Sequence, residues 1–255
     1  MTASAGTWAV CCAAAMLSSA AFADESAAEI SRKSRDRGAL NLLDLTAELK
    51  LVTTTRDGRS KEQVLTASSR KVAGKTRALS RFSQPPGVAG VAVLTVEADG
   101  EADEISLYLP KLRRVRKVAK SDRGKAFMDT DFSYSDIGGT GTKDSDLKRL
   151  EDRTVDGRAA IVIAGEGADS PYGLVTVFVD RETYVPLKVE YQDKDGKPLK
   201  LYRTLKLKQW KGRTVAAEST MENLQTGSKT SMALLKLEDS ALGDEAFTER
   251  ALERG

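Results

Sequence analysis

From Leu45 onward apolar and polar residues alternate with a period of two, and turn signals interrupt the alternation at close intervals. Successive side chains of a β-strand point to opposite faces, so this pattern describes half-buried strands. Ala47, Leu49 and Leu51 alternate with Thr46, Glu48, Lys50 and Val52, and Arg56-Asp57-Gly58-Arg59 then supplies a hairpin turn of the Asp-Gly kind. Further strands are predicted at residues 63–71, 75–82, 88–97, 104–109, 112–118, 159–164, 174–180, 185–192, 199–209, 215–224 and 229–237. Asp193-Lys194-Asp195-Gly196, Lys211-Gly212-Arg213 and Gln225-Thr226-Gly227-Ser228 are explicit turns between them. Closely spaced strands joined in this way form an antiparallel meander.

A meander of this size exposes apolar surface and free edges unless it closes on itself or is covered. The helical signals are few. Ser26-Ala27-Ala28-Glu29 fits a capping box and Gly38 stands where a C-cap would, predicting a short charged helix over residues 26–37. Others are expected near Asp131, near Leu147 and over residues 244–253. These pieces are too few to bury a sheet in the α/β manner, but they could cover the mouth or one face of a strongly curved one. In the strand at 199–209, Leu199, Leu201, Leu205 and Leu207 share a face with Arg203. That register puts a guanidinium on the apolar side, where it needs a carboxylate, a carbonyl cluster or a ligand headgroup unless a bulge turns it out or it snorkels to the rim.

Composition narrows the chemistry. The 255 residues include no histidine, and the two cysteines, Cys11 and Cys12, lie in an Ala-rich apolar stretch that runs to Ala21-Phe22-Ala23 before Asp24. That stretch reads as an h-region with an A-x-A cleavage site, so residues 1–23 are expected to be a removed secretory signal and 24–255 one exported domain. The n-region carries no Lys or Arg, which a differently placed start would also explain. The mature chain is then without a thiol and stabilised by core burial alone. Without histidine or thiol, Ser-His-Asp and Cys-His catalysis and the usual zinc and copper sites are excluded, and no cofactor or metal is expected.

The segment Tyr108 to Ile137 departs from simple alternation. Lys111, Arg113, Arg114, Arg116, Lys117, Lys120, Arg123 and Lys125 face only Asp122, although the whole chain carries a net charge of just +3. Such a local field attracts phosphate headgroups, an anionic membrane surface or an acidic partner, or is simply a solvated strand. Nucleic acid is disfavoured, because no aromatic interleaves the run. After it come Phe127, Met128, Asp129, Asp131, Phe132, Tyr134 and Asp136. Asp129, Asp131 and Asp136 could pair as in glycoside hydrolysis, but Asp131 before Phe132 reads as a helix N-cap. The glycines at 138, 139 and 141 before Lys143 do not complete a phosphate loop, and Asp193-Lys194-Asp195-Gly196 lacks the later acidic ligands of a calcium loop.

At these residues the chain resembles the LolA-like outer-membrane lipoprotein-sorting family, in the branch found beside RND or MMPL-type exporters. Tyr108-Leu109-Pro110 with the Arg-rich strand and Phe127-Met128-Asp129-Thr130-Asp131-Phe132-Ser133-Tyr134-Ser135-Asp136 carry the likeness, with Gly expected where Asp129 stands. Tyr184-Val185-Pro186-Leu187-Lys188-Val189-Glu190-Tyr191 with 193–197, Met221-Glu222-Asn223 with Thr226-Gly227, and Phe247-Thr248 support it. The resemblance implies a mainly β fold, an unclosed β-barrel of antiparallel strands lidded by a few short helices, enclosing an apolar cavity. It implies a monomeric, non-enzymatic periplasmic carrier of lipid or lipoprotein acyl chains, in transient contact with the membrane surface. The expected partners are an RND or MMPL-type inner-membrane exporter or an outer-membrane receptor. A sensor of lipid-like signals that controls an anti-sigma factor is the alternative. On the carrier reading Leu107, Leu109, Phe127, Phe132, Tyr134, Leu187, Val189, Tyr191, Leu201, Arg203 and Leu205 face the ligand. Arg113, Arg114, Arg116 and Lys117 then meet a partner or an anionic surface.

Overall fold

The computed structural model describes residues 25–38, 42–98, 103–137, 146–166 and 171–254, so the expected signal at 1–23 and the glycines at 138–143 lie outside the described residues. Helix α1 (Ala27–Arg35) starts at the Ser26 capping box, in which Glu29 returns a bond to the Ser26 backbone. The chain then forms β1 (Leu45–Thr54), β2 (Ser60–Val72), β3 (Lys75–Gln84), β4 (Ala92–Val96), β5 (Glu104–Leu109) and β6 (Arg114–Lys117). A short helix α2 (Tyr134–Ile137) precedes β7 (Lys148–Val155), β8 (Arg158–Glu166), β9 (Leu174–Asp180) and β10 (Pro186–Gln192). Strands β11 (Pro198–Trp210), β12 (Arg213–Asn223) and β13 (Ser228–Asp239) and helix α3 (Glu249–Leu252) complete the chain.

The 13 strands among the described residues join one antiparallel sheet in the order β6-β5-β4-β3-β2-β1-β13-β12-β11-β10-β9-β8-β7. Strands β1 and β13 therefore meet at its centre. The chain runs outward to one edge at β6, crosses to the opposite edge at β7, and returns hairpin by hairpin. The two edges do not pair, so the barrel is open. The turns explain the regular succession. Ala73-Gly74, Asp156-Gly157 and Lys211-Gly212 each place two successive residues at positive φ, the twist that a two-residue hairpin requires.

The inner face is continuous. Leu45, Ala47, Leu49 and Leu51 of β1 share one buried cluster with Leu65, Phe82, Leu107, Ile161, Val177, Val189, Tyr191 and Met221. The outer face carries two smaller clusters. Phe247 and Leu252 pack on Ala92, Leu94 and Tyr108, and Leu187 packs with Val155 and Ala160 beside Phe178 and Leu207. Three arginines staple the C-terminal segment in place: Arg70 donates to Leu242 O at 2.5 Å, Arg77 to Phe247 O at 2.8 Å and Arg81 to Leu252 O at 3.2 Å.

Three expectations are corrected. Leu147 is followed by edge strand β7, not a helix. Its Lys-Arg-Leu-Glu-Asp-Arg pattern hides the strand because it is exposed on most positions. The expected helix over 244–253 breaks at Phe247 and Thr248, where Phe247 is fully buried and Thr248 caps α3 by accepting from Ala251 N at 3.2 Å. From Lys200 to Leu205 the faces of β11 are inverted: Lys200, Tyr202 and Thr204 are buried, and Leu205 is 59 % exposed, while Leu199 packs on the inner cluster. Leu201 and Arg203 share that outer side, where Arg203 Nη1 lies 3.9 Å from Asp156 Oδ2. Leucines can occupy the outer face because parts of it are covered, and a lysine can occupy the inner one because a carboxylate meets it there.

Candidate functional site

Residues 118–137 cross the inner face as a strap between the two free edges. Its tip is a tight turn in which Thr130 N donates to Phe127 O at 3.0 Å and Phe127 N to Phe132 O at 2.7 Å. Met128 and Asp129 sit at φ 51° and 62°, which is why the resemblance leads one to expect Gly at 129. Phe127 is wholly buried, its ring 5.3 Å from Phe82 and 5.8 Å from Tyr134. Two residues after Tyr134, Asp136 bonds Tyr172, whose ring lies 4.7 Å from Tyr191 of β10. Strands β3 and β10 are six steps apart in the sheet order. On a flat sheet that separation would be roughly 29 Å, so the sheet must curl for the strap to pack on Phe82 and also bond Tyr172, whose ring packs on β10.

Two polar points fasten the strap. At the first, Asp131 N donates to Thr230 Oγ1 at 2.9 Å and Asp131 Oδ2 accepts from the same hydroxyl at 2.8 Å. Its other carboxylate oxygen accepts from Ser228, and Thr53 Oγ1 lies 2.9 Å from Thr230 Oγ1. Asp131 is thus no helix cap. Ser133 takes that place, accepting from Asp136 N at 3.3 Å while Asp136 Oδ2 accepts from Ser133 N at 2.7 Å.

The second point is a buried ion pair. Lys200 Nζ lies 3.2 Å from Asp136 Oδ2, with side-chain exposures of 10 % and 2 %. Tyr172 donates to Asp136 Oδ1 at 2.6 Å. The phenol oxygen accepts from Lys200 Nζ at 3.1 Å and lies 3.0 Å from Ser133 Oγ. Burial, followed by the charge of Asp136, pushes the Tyr172 hydroxyl far above its ordinary range, so it remains a donor and cannot act as a base. Every partner around the pair is thereby satisfied, which is the condition for a buried charge to be tolerated. The cluster locks the strap to β11.

Beside the first point lies an open groove of about 620 Å³, lined by Thr53, Arg56, Asp129, Asp131, Lys200 and Ser228 among others. Asp136 is buried away from it. Of the carboxylates weighed for glycoside hydrolysis, Asp129 and Asp131 both line the groove, but Asp129 is ion-paired with Lys61 at 2.9 Å and Asp131 is held by Ser228 and Thr230.

The structure brings Leu107, Phe127, Phe132, Tyr134, Val189 and Tyr191 into the inner cluster, with Leu109 packed against it. Leu187 is a bulge residue turned to the outer cluster, and Leu201, Arg203 and Leu205 are outside. Arg113, Arg114, Arg116 and Lys117 are exposed on or beside edge strand β6, and Lys117 is paired with Glu104 at 2.8 Å. Sequence reasoning missed Tyr172, Lys200 and Ser133. The one available signal was a lysine in register with Tyr202 and Thr204.

The open antiparallel sheet is shared with several solved structures. A family model described as that of an uncharacterized protein matches residues 74–254. A domain described as an outer membrane lipoprotein-sorting protein from Vibrio parahaemolyticus is 27% identical, with a TM-score of 0.77 over 89% of this chain and 98% of that one. A DUF1329 family protein from Desulfovibrio piger is 20% identical, with a TM-score of 0.76 over 89% and 97% of the two chains. A LolA superfamily protein from Nitrosomonas europaea is 16% identical, with a TM-score of 0.66 over 89% and 99%. No curated protein sequence matches the chain. The chain belongs to the family of uncharacterized proteins whose model matches residues 74–254, and it shares its fold with solved lipoprotein-sorting and LolA superfamily proteins.

Proposed function

We propose that the chain is a non-enzymatic periplasmic carrier that shelters an acyl chain of a lipid or lipoprotein against the inner face of the sheet. The observation that carries this reading is that a large apolar face is covered by a strap held by side-chain packing and two polar fastenings. Such a cover can leave and return. Water rejects an acyl chain by about 0.8 kcal/mol per methylene, so a dozen buried methylenes supply about 10 kcal/mol to offset the contacts the strap gives up. Leu107, Leu109, Phe132, Tyr134, Val189 and Tyr191 are the residues proposed to meet the ligand.

The reading is tested by mass spectrometry of an organic extract from protein purified natively out of periplasm. One defined lipid or acylated peptide at near-stoichiometric amount is the expected result. Protein that stays empty from every preparation, and after incubation with total membrane lipid, contradicts it.

A further inference from the structure

Leu112 is 66 % exposed, more than any other large apolar side chain among the described residues. It sits at the tip of the β5–β6 hairpin, in a single helical turn spanning Pro110–Leu112. The turn is built to hold it out. Arg113 takes the left-handed conformation, φ 49°, and its N–H closes onto Pro110 O at 3.1 Å. Pro110 rests against the neighbouring turn at Gly90, where an added Cβ would lie 3.4 Å from the proline ring. Lys111 and Arg113 flank the leucine in sequence and Arg114 and Arg116 follow on β6; all four are exposed, and among the described residues none has an acidic partner. Lys117 is the exception, held by Glu104.

Position adds a second observation. Because neighbouring strands are all antiparallel, the turns that follow β1, β3, β5 and β12 fall at one end of the sheet. The polar groove and the tip of the strap lie between the first and last of these turns. The Leu112 tip therefore projects from the end at which the inner face opens. Val115 and Lys117 turn to the outer side with Tyr108, which leaves Arg114 and Arg116 beside Leu109 and Leu107 on the inner one.

From these features we infer that the β5–β6 hairpin is a docking tip for an anionic bilayer surface. Leu112 enters the interfacial region, and Lys111, Arg113, Arg114 and Arg116 meet lipid phosphates. An exposed apolar side chain on a hairpin that also carries exposed cations matches a surface that is anionic outside and hydrocarbon within. An acidic protein would satisfy the cations but would need an apolar pocket for one protruding leucine. The inference does not rest on the carrier reading, since empty protein is sufficient for its test.

The experiment is flotation with vesicles of phosphatidylethanolamine and phosphatidylglycerol, with phosphatidylcholine vesicles as control. The chain should float with the anionic vesicles at about 25 mM salt, be released at about 0.5 M, and ignore the neutral ones. Arg113→Gln/Arg114→Gln/Arg116→Gln should lower partitioning about 100-fold. Leu112→Ser should lower it about tenfold, with thermal unfolding of both variants unchanged. Variants that float like the wild type overturn the inference. So does a wild-type chain that ignores the vesicles but binds an acidic protein in a salt-sensitive way.

Discussion

Asp136→Ala is expected to destabilise the fold by about 3–5 kcal/mol, the cost of leaving a buried charge without its partner. The Lys200 ammonium would remain on the inner face, its side chain 10 % exposed, and the Tyr172 hydroxyl would lose the acceptor 2.6 Å away. Lys200→Met alone leaves the carboxylate uncompensated and should cost a similar amount. The double change Asp136→Ala/Lys200→Met removes both charges, so its cost should be well below the sum of the single changes. Denaturant titration of the four proteins gives the coupling. Additive losses would mean that the two groups do not depend on each other, and that the strap is held by packing and the Asp131 point alone.

Phe127→Ala should cost about 3–5 kcal/mol, because the ring is fully buried and touches both Phe82 of the sheet and Tyr134 of the strap. Its effect on loading should have the opposite sense. The lost ring leaves space on the inner face and weakens the cover, so uptake of a fluorescent fatty acid should rise although stability falls. A change of under about 1 kcal/mol would show that the strap is not packed as described. A variant that is destabilised and takes up less probe would assign the ring to the ligand's own contacts instead.

The hairpins were largely legible because their chemistry is local. Glycine after Asp57, Asp195 or Lys211 marks a backbone that must pass through positive φ, and the strands Glu104–Leu109 and Leu174–Asp180 fall on their predicted bounds. The inner side of β11 was not legible. Four leucines at alternate positions outweigh one lysine in any local count, and only Asp136, 64 residues away in sequence, makes Lys200 an inner residue. The fastenings of the strap are likewise non-local: Asp131 meets Ser228 and Thr230 of β13, and Asp136 meets Tyr172. The aromatic-acidic segment announced itself by composition, and its partners could not. Edge strand β7 escaped for a different reason, since a strand that is solvated on most positions has no apolar period to read.

The central claim is that the strap leaves the inner face when an acyl chain enters. Both cysteines of the chain lie within the first twelve residues, so a designed pair has no competitor once that segment is left out of the expressed protein. Asp131→Cys/Ser228→Cys joins the strap tip to β13 at two positions whose native side chains are in contact. Uptake of a fluorescent fatty acid is then measured with the disulfide closed and after reduction. The account predicts no uptake by the oxidised protein and full uptake once dithiothreitol opens the bond. Equal uptake in both states would contradict it.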